Sequence, residues 1–135
     1  MSASRKILVV DDDPVVAKSF KRVLAAKGYA VLTAENGEDA LKKLGAEKYD
    51  LVFTDIKMPG MSGIEVAERV KDSQPWLPVV IITGYADKAE KGRIAALGVA
   101  KMLSKPFRIE DLLDAVRDNT RDVAEGSLDN TEVRP

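Results

Sequence analysis

The chain has 135 residues, 45% hydrophobic and 32% charged, with a net charge of −1. That suits one globular domain of roughly 100–150 residues and offers no global basic field for nucleic acid or anionic lipid. It contains no cysteine and no histidine, which excludes disulfides, sulfur-based zinc sites, thiolate nucleophiles, Ser-His-Asp triads and imidazole acid–base catalysis. Any chemistry must come from carboxylates, lysines, hydroxyls and backbone.

Arg5 and Lys6 precede a first aliphatic run, Ile7-Leu8-Val9-Val10, that stops at three aspartates. A secretory signal needs an apolar core of about 7–15 residues and a bilayer span about 20, so a cytoplasmic protein with no membrane segment is expected. Asp13-Pro14 reads as the N-cap and first position of a helix, whose apolar stripe is Val16, Phe20, Val23 and Leu24 and which Gly28 closes. Residues 29–33 form a strand candidate nearer a sheet edge. Asn36 opens a second helix with Leu41 and Leu44 inside; the run 51–53 is a strand; Ser62 opens a third helix with Val66, Ala67 and Val70. Trp76, between Pro75 and Pro78, suits a surface or packing role. The run 79–82 is a strand, and 86–98 is the least regular helix, Ala-rich, with Gly92 inside it and Gly98 at its end. A short strand at 102–103 leads to a final amphipathic helix marked by Ile109, Leu112, Leu113, Val116 and Val123. Strand then helix, five times over, with aliphatic strands buried on both faces, predicts a doubly wound α/β fold on a parallel sheet. The domain is expected over 1–122, fraying from about residue 119, with a polar C-terminal tail at 123–135.

Open parallel sheets bind ligands beyond the carboxyl ends of their strands. There the sequence places Asp11, Asp12 and Asp13, then Asp55, then Thr83, then Lys105. Two carboxylates 4 Å apart repel by about 4 kcal/mol at an effective dielectric near 20. Such a cluster needs protons, water or a cation. Three negative charges balance against a divalent metal and Lys105, and Mg²⁺ typically uses one or two carboxylates, waters and a phosphate. A phosphoryl group at this rim would meet positive charge and the Thr83 hydroxyl, the equipment of phosphoryl transfer.

Four motifs carry a resemblance: Ile-Leu-Val-Val-Asp-Asp-Asp (7–13), Asp-Ile-Lys-Met-Pro-Gly-Met-Ser-Gly (55–63), Ile-Ile-Thr-Gly (81–84) and Ser-Lys-Pro-Phe (104–107). In this order, from about residue 5 to 119, the chain resembles the receiver domains of two-component response regulators, those like the chemotaxis regulator. The resemblance implies a flavodoxin-like (βα)5 three-layer sandwich with a five-stranded parallel sheet in the order 2-1-3-4-5. It implies that Asp55 is the phosphoacceptor, fed by a partner histidine kinase or histidine phosphotransfer protein. Asp12, Asp55 and the backbone carbonyl of Lys57 would ligate Mg²⁺, or Mn²⁺ in its place, while Asp11 would hold metal-bound water. Thr83 and Lys105 would each take a phosphoryl oxygen, and the Lys105-Pro106 bond would be cis. Lys57 and Tyr85 fall at positions that in this family tune dephosphorylation. Met102 stands where the family commonly carries a Tyr or Phe switch residue. It either fills that gap as a core methionine or marks a different coupling.

The protein so described is a signalling domain without an output domain in these 135 residues, catalysing only its own phosphorylation and dephosphorylation. Its downstream protein partner would use the face of the fourth helix, fifth strand and fifth helix. Residues 87–108 carry six basic and two acidic side chains and residues 110–135 eight acidic and three basic, a pairing that also suits a two-fold homodimer. An alternative reading takes Asp11 and Asp13 as the nucleophile and general acid of a haloacid-dehalogenase-like phosphohydrolase. It leaves Asp55 and the Met-Pro-Gly loop unexplained.

Overall fold

The structure, a computed structural model, describes residues 5–120. Five strands alternate with five helices: β1 (Lys6–Val10), α1 (Pro14–Ala25), β2 (Ala30–Ala34), α2 (Gly37–Ala46), β3 (Leu51–Asp55), α3 (Gly63–Ser73), β4 (Val79–Thr83), α4 (Lys88–Leu97), β5 (Lys101–Ser104) and α5 (Ile109–Thr120). The strands are parallel, in the order β2-β1-β3-β4-β5. This is the expected doubly wound sandwich, with β2 at an edge.

Successive strand residues point to opposite faces, and that alternation divides the core in two. Leu8, Val10, Val52 and Ile81 pack with Leu44, Ile64, Val70 and Ile94 from α2, α3 and α4. Ile7, Val9, Phe53, Val80 and Ile82 pack with Phe20 and Leu24 of α1 and with Leu112 and Val116 of α5. Phe20 meets Phe53 and Phe107 edge-on, with ring centroids 5.6 and 5.8 Å apart. Each such fully buried Val, Leu, Ile or Phe contributes about 1.5–3 kcal/mol of transfer free energy.

The helix starts follow their capping residues. Asp13, Asn36, Ser62 and Asp87 each accept a backbone N–H in the first turn of the helix that follows. The stretch 86–98 does form a helix, α4, closed by a capping box of Asp87 and Glu90 and by Gly98 in the left-handed region at φ 65°. Its pattern was weak for a reason: Ile94 is its one buried side chain. Gly92 lies on its exposed side, with nothing within 4 Å of an added Cβ.

Gly28 closes α1 as expected: at φ 94° it donates its N–H to the Ala25 carbonyl at 3.0 Å, while the Tyr29 N–H reaches back to the Leu24 carbonyl at 3.2 Å. Two expectations need correcting. Ile109, expected on the apolar stripe of α5, is 57% exposed, because burial in that helix falls on Leu112, Ala115 and Val116. Met102 is 39% exposed on the edge strand β5, so it is not a core methionine. Trp76 is a surface residue, 73% exposed. Val123 and the 123–135 tail lie outside the described residues.

Candidate functional site

Sheet register levels the carboxyl ends of the strands. Asp55 pairs with Ile82, and Thr83 pairs with Ser104, the residue before Lys105. Beside them the first strand delivers Asp11 and Asp12. Ligand oxygens of Asp11, Asp12 and Asp55 lie within 4.8 Å of one another. Asp11 and Asp55 are buried and Asp12 is exposed, so the cluster opens to solvent on one side. A depression of about 190 Å³, lined in part by Asp11, Asp12, Lys18 and Glu35, adjoins it. A roomier cleft of about 660 Å³, with Tyr49, Gln74 and Trp76 in its wall, lies at the amino ends of the strands. It gathers no comparable carboxylate cluster, and chemistry rather than volume selects the site.

Asp11 is under electrostatic tension. Its Oδ1 accepts the Asp13 N–H at 2.9 Å, while its Oδ2 is buried without a partner. Burial above all, then the Asp55 and Asp12 charges, raises its pKa against the opposing Asp13 N–H and Lys105. A buried carboxylate with one oxygen orphaned, clustered with two further carboxylates, is what a hard divalent cation with oxygen ligands satisfies. The residues fit such an ion.

Asp55 is held from two sides. Lys105 Nζ donates to its Oδ2 at 3.0 Å, and the Lys57 N–H donates to its Oδ1 at 3.3 Å. Burial works to lower the Lys105 pKa. The Asp55 hydrogen bond and the attraction of Asp55, Asp11 and Asp12 together outweigh it, so the ammonium stays charged beyond its usual range. Thr83 is 4% exposed, and its Oγ1 accepts the Tyr85 N–H at 3.0 Å. That bond uses a lone pair and leaves the hydroxyl proton to donate elsewhere. The Lys105-Pro106 bond is cis.

The backbone beneath Asp55 is tightly fitted. Thr54, fully buried, donates its hydroxyl to the Asp55 carbonyl at 3.1 Å, and the Gly63 N–H donates to the Ile56 carbonyl at 3.0 Å. A Cβ on Gly63 would collide with the Asp55 carbonyl itself. Only glycine lets α3 begin this close to the site.

The structure therefore gathers Asp11, Asp12, Asp55, Thr83, Lys105 and the Lys57 backbone. It does not gather Asp13, whose Oδ1 accepts the Val15 N–H at 2.9 Å as the cap of α1. That side chain is exposed and committed to the cap, so the phosphohydrolase reading, which needs it as an acid, is set aside. The Lys57 side chain departs from the site and pairs with Glu90 of α4 at 3.0 Å. Sequence reasoning missed Glu90, Thr54 and the close approach at Gly63. The Asp87-x-x-Glu90 spacing of a capping box was open to inspection, but a partner 33 residues away was not.

Comparison with known proteins gives a consistent result. The family model for the response regulator receiver domain matches residues 7–117. The response regulator receiver protein CpdR of Brucella abortus is 38% identical over 83% of this chain and 93% of its own length. A structure of the response regulator TrrA from Thermotoga maritima, in complex with Mg²⁺-BeF, is 36% identical with a TM-score of 0.76, over 84% of this chain and 97% of that one. A response regulator from Burkholderia pseudomallei, solved with a phosphorylated aspartic acid, a calcium ion and citrate, is 35% identical with a TM-score of 0.77, over 95% and 76% of the two chains. The chain spans only 25% of the transcriptional regulatory protein GlrR of Escherichia coli and 52% of the transcriptional regulatory protein DltR of Streptococcus agalactiae, at 36% and 34% identity.

Proposed function

Because the chain belongs to the response regulator receiver family, we propose that Asp55 is its phosphoacceptor, taking a phosphoryl group from a phosphohistidine on a partner histidine kinase or histidine phosphotransfer protein. The domain is a signalling module of the two-component type. One observation carries the site assignment: the buried Asp55 carboxylate is oriented by an ammonium on one oxygen and an N–H on the other, within a cluster of two more carboxylates.

In the transfer, an Asp55 oxygen bonds to phosphorus, the nitrogen–phosphorus bond breaks, and the imidazole leaves with the electron pair. Lys105, already beside Asp55, meets a non-bridging phosphoryl oxygen with its ammonium, and Thr83 donates its free hydroxyl proton to another. Asp11, Asp12, Asp55 and the Lys57 carbonyl would hold Mg²⁺, or Mn²⁺ in its place. The bound ion supplies positive charge for the crowded carboxylates and the incoming phosphate. The chain turns over only its own phosphate and works in the cytoplasm. Its response passes through the α4–β5–α5 face, where Met102 stands exposed, to a downstream protein, a second copy of the chain among the candidates.

Incubation with a small phosphodonor and Mg²⁺, followed by intact mass measurement, tests the assignment. The expected result is one phosphoryl adduct, absent in Asp55→Asn and present in Asp13→Asn. An adduct that survives Asp55→Asn would overturn it.

A further inference from the structure

Lys57 divides its contacts between two elements. Its N–H donates to Asp55, while its ammonium reaches α4 and donates to both carboxylate oxygens of Glu90, at 3.2 and 3.0 Å. Glu90 is itself fixed in place. Its carboxylate accepts the Asp87 N–H at 3.0 Å, and its own N–H donates to Asp87 Oδ1 at 2.8 Å. The Glu90 side chain is largely covered and that of Lys57 mostly exposed, so the helix cap is the anchor and the lysine the moving part.

We infer that Glu90 is a positioning residue which, by holding the Lys57 ammonium against the start of α4, keeps the approach of water to phosphorylated Asp55 open and so sets the lifetime of the phosphate. This deepens the reading of Asp55 as phosphoacceptor and rests on it. In the hydrolysis concerned, a water oxygen bonds to phosphorus and the bond from phosphorus to the Asp55 oxygen breaks, its electron pair returning to the carboxylate. Hydrogen phosphate departs with one of the water protons, and the other goes to solvent. A four-carbon stem rooted two residues from Asp55 and ending in an ammonium would cover the phosphoryl group if nothing held it elsewhere. Glu90 competes for that ammonium with a fixed negative charge. The pair is solvent-exposed on the lysine side, and exposed pairs bias a side chain only about two- to five-fold.

The test follows phosphoryl loss by intact mass in the full chain after the small phosphodonor is removed. Glu90→Gln keeps the capping box, in which Gln also serves, and removes the charge. It should lengthen the half-life about two- to five-fold. The same substitution in a Lys57→Met background should change nothing, a dependence that a merely structural role for Glu90 would not produce. Arg93→Gln breaks the other bridge from α4, to Glu68, without touching Lys57, and should keep the wild-type half-life. An unchanged or shorter half-life in Glu90→Gln overturns the inference, as does equal lengthening in the Lys57→Met background or in Arg93→Gln. No adduct at all on the wild-type chain would overturn the phosphoacceptor reading instead, and this inference with it.

Discussion

Asp11 carries a charge that the fold penalises. Burial first, then Asp55 and Asp12, raises its pKa, so the native state binds protons more readily than the unfolded chain does. The stability gained from that preference is complete below the unfolded value of about 3.8 and is lost as pH rises through the native value. At neutral pH the ionised side chain is therefore a liability in metal-free protein. Asp11→Asn keeps an oxygen for the Asp13 N–H and removes the charge. In chelator it should raise the thermal midpoint at pH 7 by several degrees, on the order of 1 kcal/mol. The gain should shrink toward zero as the pH of the melts approaches 4. A gain independent of pH would assign the effect to packing and not to charge.

Among the helices, α4 has the smallest buried apolar face. Ile94 is its single buried side chain, and its ion pairs, Lys57 with Glu90 and Arg93 with Glu68, run to the Asp55 loop and to α3. Exposed pairs of this kind contribute about 0–1 kcal/mol each, so α4 should open at lower free energy than helices with an apolar face. Hydrogen exchange should find its amides faster than those of α3 or α5. A phosphodonor with Mg²⁺ should alter exchange in α4 and β5 while leaving α2 as it was. Unaltered α4 exchange would count against the α4–β5–α5 face as the route of the response. The same property explains what the sequence could tell. α1 was legible because Phe20 and Leu24 repeat at helical spacing on a buried face, and Asp11, Asp55, Thr83 and Lys105 because each closes or follows an aliphatic strand. α4 was blurred because its stability does not come from periodic apolar residues. The Lys57–Glu90 pair was hidden because only the folded chain brings two elements so distant in sequence together.

For the whole molecule, three carboxylates face one ammonium across the carboxyl edge of the sheet, an imbalance that the unfolded chain does not share because there Asp55 is far from Asp11 and Asp12. A divalent ion should therefore bind the native state selectively and raise its thermal midpoint. At a concentration 100 times its dissociation constant the gain is about 2.7 kcal/mol. Melts in millimolar Mg²⁺ and in chelator measure it, and Asp12→Ala should abolish most of the shift. Equal shifts in wild type and Asp12→Ala would place the ion elsewhere. One property of α4 also has a practical use. Gly92 faces open space on that helix, and the chain has no cysteine of its own. Gly92→Cys would therefore give a single addressable thiol on the helix that should respond to phosphate. A fluorophore attached there could report phosphorylation in real time, without a radioactive donor and without knowledge of the physiological kinase.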